Sequence, residues 1–321
     1  MKRRFACTLA LCAALSLQLQ AQRSELRLEK GWRFTRQDQA SFSTPDYNDS
    51  KWSRVTVPHD WAIYGPFSFE NDKQHLAIAQ DGQKEAMEHA GRTGGLPFVG
   101  AGWYRRSLDI PQDLGDRRVF LRFDGAMSHA RVYVNGKEVG YWPYGYNTFA
   151  FDVTPYVRPG ASNTLAVRLE NKHESSRWYP GAGLYRNVHL TITSPTYIPL
   201  WGTRIQTPSV SADQAYVSVE TKVAGLSHLA GRPLRIETKI LSPEGKVVAE
   251  RSESFSSKGT DSIYRTGFDI SAPKLWDINQ PNLYKYAVTL SDGSRVIDRD
   301  TTTFGIRSIE LKAGEGFFLN G

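Results

Sequence analysis

Residues 130–142 read ARVYVNGKEVGYW, and this stretch decides the fold class. Val132 and Val134 alternate with side chains that can face solvent, which is the period-two pattern of a half-buried strand. The pair Asn135-Gly136 then supplies the two positive φ positions of a type I′ turn. The return strand begins near Val139, so the stretch predicts a β-hairpin.

Short alternating segments of the same kind lie on both sides of this hairpin, with turn residues between them. They cover residues 26–28, 31–34, 118–123, 148–153, 164–169 and 187–193. Helical periodicity is nearly absent, and the one helical-looking patch is residues 83–90. Many short strands with regular turn signals are typical of antiparallel β-sandwiches. We therefore predict an all-β protein.

The composition changes at residues 194–199, where prolines that lack a backbone donor interrupt strand pairing. We predict a domain boundary near residue 198. Further strands are expected at residues 215–223, 235–241, 246–254, 262–270 and 284–290. About 110 residues with this strand density fit an immunoglobulin-like β-sandwich. Residues 309–321 are too few for another domain.

The N-terminus has the pattern of a secretory signal. Three cations, Lys2 to Arg4, precede an apolar stretch too short to span a bilayer comfortably, and cleavage is expected after Ala21. A short buried helix is the alternative interpretation. Residues 1–21 are thus predicted to be a signal peptide of an exported protein, periplasmic or secreted, with no membrane attachment after cleavage.

Charge and cysteine content limit the function further. The formal net charge is +7, and it falls to +4 without the three signal cations. The remaining Lys and Arg are scattered, so no nucleic acid partner is expected. Both cysteines, Cys7 and Cys12, lie in the signal. The seven histidines are dispersed and no Gly-rich phosphate loop is present, so we expect no metal and no cofactor.

Three segments are conspicuous as candidate sites. Asp60 either contacts a sugar at the rim of a site or caps backbone donors of its own turn. Residues 171–186 mix charged, aromatic and glycine residues, a mixture that suits sugar binding but also a domain-interface loop with a buried Arg. The loop of residues 65–102 is long for a sandwich, and such loops are usually functional or disordered.

Several motifs occur in the order in which a known family carries them. They are GWRF at 31–34, PHDW at 58–61, GWYRR at 102–106, FDGA at 123–126, VNG at 134–136, FDVT at 151–154, SRWYPGAGLYR at 176–186, PKLW at 273–276, PNLY at 281–284, FGIR at 304–307 and GFFLNG at 316–321. With these motifs the chain resembles the N-terminal portion of glycoside hydrolase family two, in its β-galactosidase-like branch.

The resemblance implies a jelly-roll sugar-binding domain at residues 22–198, an immunoglobulin-like β-sandwich at 199–308 and the start of a truncated (β/α)₈ barrel at 309–321. Retaining hydrolysis needs two carboxyl groups, which the family carries on the barrel. No catalytic residue is therefore assigned within residues 1–321. By the family pattern, Arg177, Trp178 and Tyr179 are expected to contact substrate.

The expected function is thus the non-catalytic part of an exported β-galactosidase-like hydrolase, inactive alone. Its expected partners are a β-galactoside-type glycan and the missing catalytic barrel. One alternative is a free-standing carbohydrate-binding module without hydrolase activity. Another is a β-glucuronidase- or β-mannosidase-type member of the same family. A structural or adhesion sandwich is a further alternative.

Overall fold

A computed structural model describes residues 23–321, apart from 69, 72, 76–83, 86–87, 91–97 and 174–177. The predicted signal peptide and Arg177 therefore lie outside the described residues. The described part consists of β-strands joined by turns and short 3₁₀ segments, with no α-helix. The 3₁₀ segments are Ala40–Ser43, Ala62–Tyr64, Thr154–Tyr156 and Ser227–Leu229.

Twelve strands belong to the first half of the chain. They are β1 (Ser24–Arg27), β2 (Trp32–Thr35), β3 (Ser53–Val55), β4 (Lys73–His75), β5 (Glu88–Ala90), β6 (Gly100–Asp109), β7 (Arg118–Phe123), β8 (Ala130–Val134), β9 (Lys137–Trp142), β10 (Phe149–Asp152), β11 (Ser162–Asn171) and β12 (Val188–Thr193).

These strands form an antiparallel sandwich of two main sheets. One has four strands in the order β1-β12-β7-β10, and the other has six in the order β3-β2-β6-β11-β8-β9. Alternate side chains of both sheets meet in one core, which includes Trp32, Tyr104, Leu121, Val132 and Leu165. The predicted hairpin is β8–β9, and positive φ at Asn135 and Gly136 confirms its turn.

Nine strands follow in the second half. They are β13 (Thr203–Val210), β14 (Gln214–Val223), β15 (Pro233–Leu241), β16 (Val247–Ser256), β17 (Ser262–Ser271), β18 (Tyr284–Asp292), β19 (Arg295–Phe304), β20 (Ile309–Lys312) and β21 (Gly316–Leu319). The sheets have the orders β13-β14-β17 and β16-β15-β18-β19, and β20 pairs with β21 alone.

The two larger sheets of this half enclose a second core built by the inward residues of each strand, among them Val217, Ile236, Phe268 and Tyr286. The all-β prediction of two successive sandwiches is confirmed. In the terminal hairpin β20–β21, Leu311 and Phe317 are largely exposed, whereas Phe318 and Leu319 are half-buried.

One sequence expectation is wrong in part. The helical-looking patch at residues 83–90 ends in strand β5, which pairs with β4 in a two-stranded ribbon. Its first residues fall partly outside the described chain. A patch of eight residues is too short for a stable isolated helix, so pairing with another strand decides its conformation.

Candidate functional site

Three connections between the two sheets of the first sandwich meet at one end of it. Residues 124–129 join β7 to β8, residues 143–148 join β9 to β10, and residues 172–187 join β11 to β12. Each crosses from one sheet to the other. Because Phe123 pairs with both Phe149 and Val188, the three connections emerge side by side.

Backbone hydrogen bonds tie these connections together. Met127 and Gly183 exchange two N–H···O bonds of 2.9 and 2.8 Å, and Ala126 N donates to Gly145 O at 3.2 Å. The Tyr185 hydroxyl also donates to Gly145 O, at 3.0 Å. The surface formed by these connections therefore rests on a hydrogen-bonded base, which fixes side-chain positions before any ligand arrives.

Gly183 is required at its position by both conformation and space. Its φ is +96°, a region that L-residues with a Cβ rarely adopt. A Cβ there would lie 2.7 Å from the His59 carbonyl oxygen and closer still to the Tyr104 hydroxyl. The glycine thus allows residues 181–184 to pack directly on the His59 turn, where His59 N donates to Leu184 O at 2.8 Å.

Asp60 holds the same segment from the side. One carboxylate oxygen accepts from Ala62 N at 3.0 Å and Ala182 N at 3.1 Å, and the other accepts from the Tyr179 hydroxyl at 2.7 Å. This is the turn-capping geometry that the sequence suggested for Asp60. In addition, Asp60 binds Tyr179, a residue about 120 positions further along the chain. Trp61 beside it is buried in the core.

The buried Tyr104 and the half-buried His59 support the turn from beneath. The Tyr104 hydroxyl lies 2.7 Å from His59 Nδ1, and Phe34 packs against both rings. Burial raises the pKa of Tyr104 well above its usual value, so the phenol stays protonated. Burial also lowers the pKa of His59, which favours the neutral imidazole in the folded protein.

The exposed part of this end is an aromatic shelf, defined here as Tyr144, Tyr146, Trp178 and Tyr179. The rings of Tyr144 and Tyr146 meet edge to face with centroids 5.4 Å apart. Trp178 Nε1 donates to the Tyr146 hydroxyl at 2.7 Å. The Trp178 side chain is 56% exposed and that of Tyr144 53%. The indole is therefore held in position while most of it faces solvent.

The structure brings together two of the three predicted site residues. Trp178 and Tyr179 are adjacent on the shelf, and Arg177 lies outside the described residues. Tyr144 and Tyr146 did not emerge from the sequence as site residues. The sequence feature that could have identified them is the segment Pro143–Asn147, where two tyrosines flank a glycine immediately after β9. That Trp178 and Tyr179 contact substrate stays a prediction.

A cationic groove of about 770 Å³ lies beside the His59–Asp60 turn. Its charged lining comes from Lys30, Arg33 and Arg54, and its aromatic wall from Tyr64, which stacks on the His59 ring. Arg33 and Arg54 are directly opposite each other on β2 and β3. Like charges in that position repel, and a bound anion would relieve the repulsion.

The shelf can do one kind of chemistry well. Exposed aromatic faces cover the apolar C–H side of a sugar ring, and nearby polar groups fix its orientation. Among the described residues, no group of three or more His, Cys, Asp or Glu side chains is arranged to hold a metal ion. In the same part of the chain, no helix has the length and apolar character needed to cross a membrane.

Two sequence models of one family match this chain. The model described as "Glycosyl hydrolases family 2, sugar binding domain" covers residues 26–195, and the model "Glycosyl hydrolases family 2" covers residues 197–307. Together they span nearly all of the described chain. All of the shelf residues fall within the range of the sugar-binding model.

Individual relatives agree with this result. A β-galactosidase of Bacteroides ovatus is 34% identical over 98% of this chain and 35% of its own length. A β-glucuronidase of Bacteroides fragilis is 31% identical over 95% of this chain and 41% of its own length. The crystal structure of a family 2 member from Bacteroides cellulosilyticus aligns with a TM-score of 0.80 and 32% identity, covering 92% of this chain and 37% of that one. The chain therefore spans little more than a third of the length of these relatives.

Proposed function

The chain belongs to glycosyl hydrolases family 2, and from this premise we propose that it forms the sugar-binding, non-catalytic front part of an exported β-glycosidase. The observation that carries the proposal is the aromatic shelf. Three of its aromatic side chains are held by hydrogen bonds, and Tyr144 packs on Tyr146, at one end of a sandwich whose sequence matches the family's sugar-binding domain. A catalytic domain of the same protein would complete the substrate site.

The geometry of the shelf supports a role in substrate contact. Trp178 remains 56% exposed although its N–H is bonded to Tyr146, so its indole can contact a sugar ring. Tyr179 donates its hydroxyl proton to Asp60, which likewise leaves an aromatic surface for the ligand. Such faces favour pyranose rings whose axial C–H bonds lie on one side.

The first candidate substrate class is terminal β-galactosides. Support comes from the motifs that resemble the β-galactosidase-like branch and from the Bacteroides ovatus relative, which is named a β-galactosidase. A neutral sugar also fits an uncharged aromatic shelf. Arg177, adjacent to Trp178 in the chain, is proposed to bind hydroxyl groups of the same sugar.

The second candidate class is β-glucuronides, and two observations favour it. The Bacteroides fragilis relative is named a β-glucuronidase. The cationic groove, with Lys30, Arg33 and Arg54, meets the segment under the shelf at the His59–Asp60 turn. A uronate carboxylate would be attracted to these cations through charge-assisted hydrogen bonds.

The test compares two proteins on two substrates. The purified 321-residue chain should show no turnover of 4-nitrophenyl β-galactoside or 4-nitrophenyl β-glucuronide above background. The same chain extended by the coding sequence that follows it should hydrolyse one of them, and the preferred substrate selects the class. Turnover by the 321-residue chain that survives repeated purification would overturn the non-catalytic assignment.

A substitution tests the shelf in the extended protein. Trp178→Ala should raise KM about fivefold, because a stacking face of roughly 1 kcal/mol is lost. Ile278→Ala is the matched control, since Ile278 is strongly exposed on the second sandwich. Equal KM values for the two variants would exclude the shelf from substrate contact. Export is tested separately, by N-terminal sequencing of the protein from the periplasm or medium, where a start at Gln22 is expected.

A further inference from the structure

A groove of about 620 Å³ lies between the two sandwiches, away from the shelf's three connections. Its floor is the outer face of the four-stranded sheet, where Phe120 lies between Thr191 and Asp152 in one cross-strand row. Its wall is the linker at residues 197–203 together with residues 300–303 at the end of β19. Grooves at domain interfaces are common positions for small-ligand sites.

The apolar part of this interdomain groove includes three aromatic residues. Phe120 and Tyr197 pack at 5.2 Å between centroids, one from the sheet and one from the linker. Trp201 lies at the rim and is 70% exposed, the largest exposed fraction among the described tryptophans. An indole of this size left open beside a groove offers a broad face to a ligand, since Trp can bury about 200 Å² or more.

The cations around the interdomain groove are already neutralised. Arg23 pairs with Asp298 at 2.7 Å, Arg122 pairs with Glu25 at 3.0 Å, and Arg118 pairs with Asp152. A guanidinium with a carboxylate partner gains little by exchanging it for a carboxylate of a ligand. The groove therefore has no ready counter-charge for an acidic sugar.

Asp300 is the exception among the carboxylates that line the groove. It is half-buried, and within the described residues no side chain donates a hydrogen bond to it. Burial raises the pKa of Asp300, and the charge of Arg23 opposes that rise only in part. The Thr301 N–H supplies one hydrogen bond to this carboxylate, and a carboxylate accepts several, so a ligand hydroxyl in the groove can donate to it as well.

From this arrangement we infer that the interdomain groove binds neutral saccharides, with Trp201 stacking on a sugar ring and Asp300 accepting hydrogen bonds from the sugar hydroxyls. The exposed hydroxyl of Thr303 on the wall adds a further donor and acceptor. Each arginine in the described lining already pairs with a carboxylate of the protein. The groove should therefore bind uronic acids more weakly than neutral sugars. The inference does not depend on hydrolytic activity or on the shelf.

The experiment is a calorimetric titration of the 321-residue chain carrying Trp178→Ala, so that the shelf is weakened in every sample. The probes are lactose and cellobiose, with glucuronic acid as the acidic comparison. Both neutral disaccharides should bind at micromolar to millimolar Kd, and glucuronic acid at least about tenfold more weakly. Preferred binding of glucuronic acid, or no binding of either disaccharide, would overturn the inference.

Two further substitutions locate the binding. Trp201→Ala and Asp300→Ala should each raise Kd about tenfold. Asp269→Ala removes an exposed carboxylate on β17 and should leave Kd unchanged. Because Trp201 is exposed, its variant should fold normally, which thermal unfolding checks. An unchanged Kd in Trp201→Ala refutes the site even if the Asp300 variant is unstable. A finding that the shelf does not contact substrate would leave this result unaffected.

Discussion

The Arg23 guanidinium makes a two-point ion pair with the carboxylate of Asp298, whose side chain has no solvent exposure. Arg23 precedes the first strand of the first sandwich, and Asp298 belongs to β19 in the second. The same carboxylate accepts from Ile198 N at 2.7 Å and Arg299 N at 2.9 Å. The Arg23 side chain in turn donates to Ile198 O, so one buried carboxylate joins both sandwiches and the linker.

Removing Arg23 should therefore weaken the joint between the sandwiches. Arg23→Ala leaves a buried carboxylate with only backbone donors, and breaking such a pair costs about 3–5 kcal/mol. We expect the loss in the free energy of unfolding to lie at the lower end of that range or below it, because the Arg23 side chain keeps 22% exposure. Urea unfolding should change from one transition to two, since the sandwiches lose part of their coupling.

The matched control for this prediction is Arg299→Ala, which removes an exposed cation of the same strand and keeps the Arg299 N–H. Its unfolding curve should follow that of the wild-type chain. Equal stability of the Arg23 and Arg299 variants would show that the joint does not depend on the ion pair.

Asp60→Ala should loosen the segment that carries the shelf. Three hydrogen bonds lose their acceptor, two of them from backbone N–H groups, and each unsatisfied donor costs about 1–3 kcal/mol where it stays buried. Hydrogen exchange of the amides at residues 178–184 should accelerate. Tyr179→Phe, which removes one of the three bonds, should have a smaller effect, and Asp46→Asn, on an exposed turn, should have none.

Gly183→Ala should be among the most damaging alanine substitutions at a glycine of this chain. The added Cβ overlaps the Tyr104 hydroxyl and the His59 carbonyl, and overpacking of this kind costs about 1–3 kcal/mol in addition to about 1–2 kcal/mol for positive φ. Gly231→Ala separates the two costs, because Gly231 has φ +77° and no atom near the added Cβ. Similar melting temperatures for both variants would contradict the packing argument.

The half-buried His59 predicts a loss of stability on mild acidification. Its pKa is lowered in the folded state, so below about pH 6.5 the unfolded chain binds more protons than the folded one at this residue. The contribution is fully lost once the pH falls through the lowered folded pKa. His59→Asn should remove this part of the pH dependence.

Urea unfolding at pH 7.5 and 5.5 measures the effect as a difference between wild type and variant. The stability gap between the wild-type chain and His59→Asn should shrink at the lower pH. His228→Gln, a change at an exposed histidine of the second sandwich, should leave the wild-type pH dependence as it is. A gap that stays constant would place the acid sensitivity elsewhere.

Local patterns were enough to predict much of the fold. The hairpin β8–β9 follows from alternation and the Asn135-Gly136 turn, both of which act within a few residues. Strand β13 escaped prediction because it contains Pro208, which lies where the register shifts on an edge strand and needs no donor. Strand β19 escaped because Asp298 breaks its alternation, and a buried carboxylate is unexpected without its partner in view.

The candidate site could be predicted only in part, for a similar reason. Trp178 and Tyr179 stand in a conspicuous segment of the sequence. Tyr146 contacts Trp178 only because the fold brings together two residues that are 32 positions apart in the sequence. The interdomain groove brings into one lining residues more than 100 positions apart, such as Phe120 and Asp300. No local pattern carries such a pairing.

Strand β1 pairs with β12, so the first strand of the first sandwich lies beside its last. During synthesis on the ribosome, residues 24–27 must wait until residue 193 has left the exit tunnel before they can take their place. The two ends of the sandwich then meet at one edge of a single sheet. A circularly permuted first sandwich that joins these ends and opens the Asn135-Gly136 turn should keep its strand pairings, with the β8–β9 ladder no longer closed by a turn.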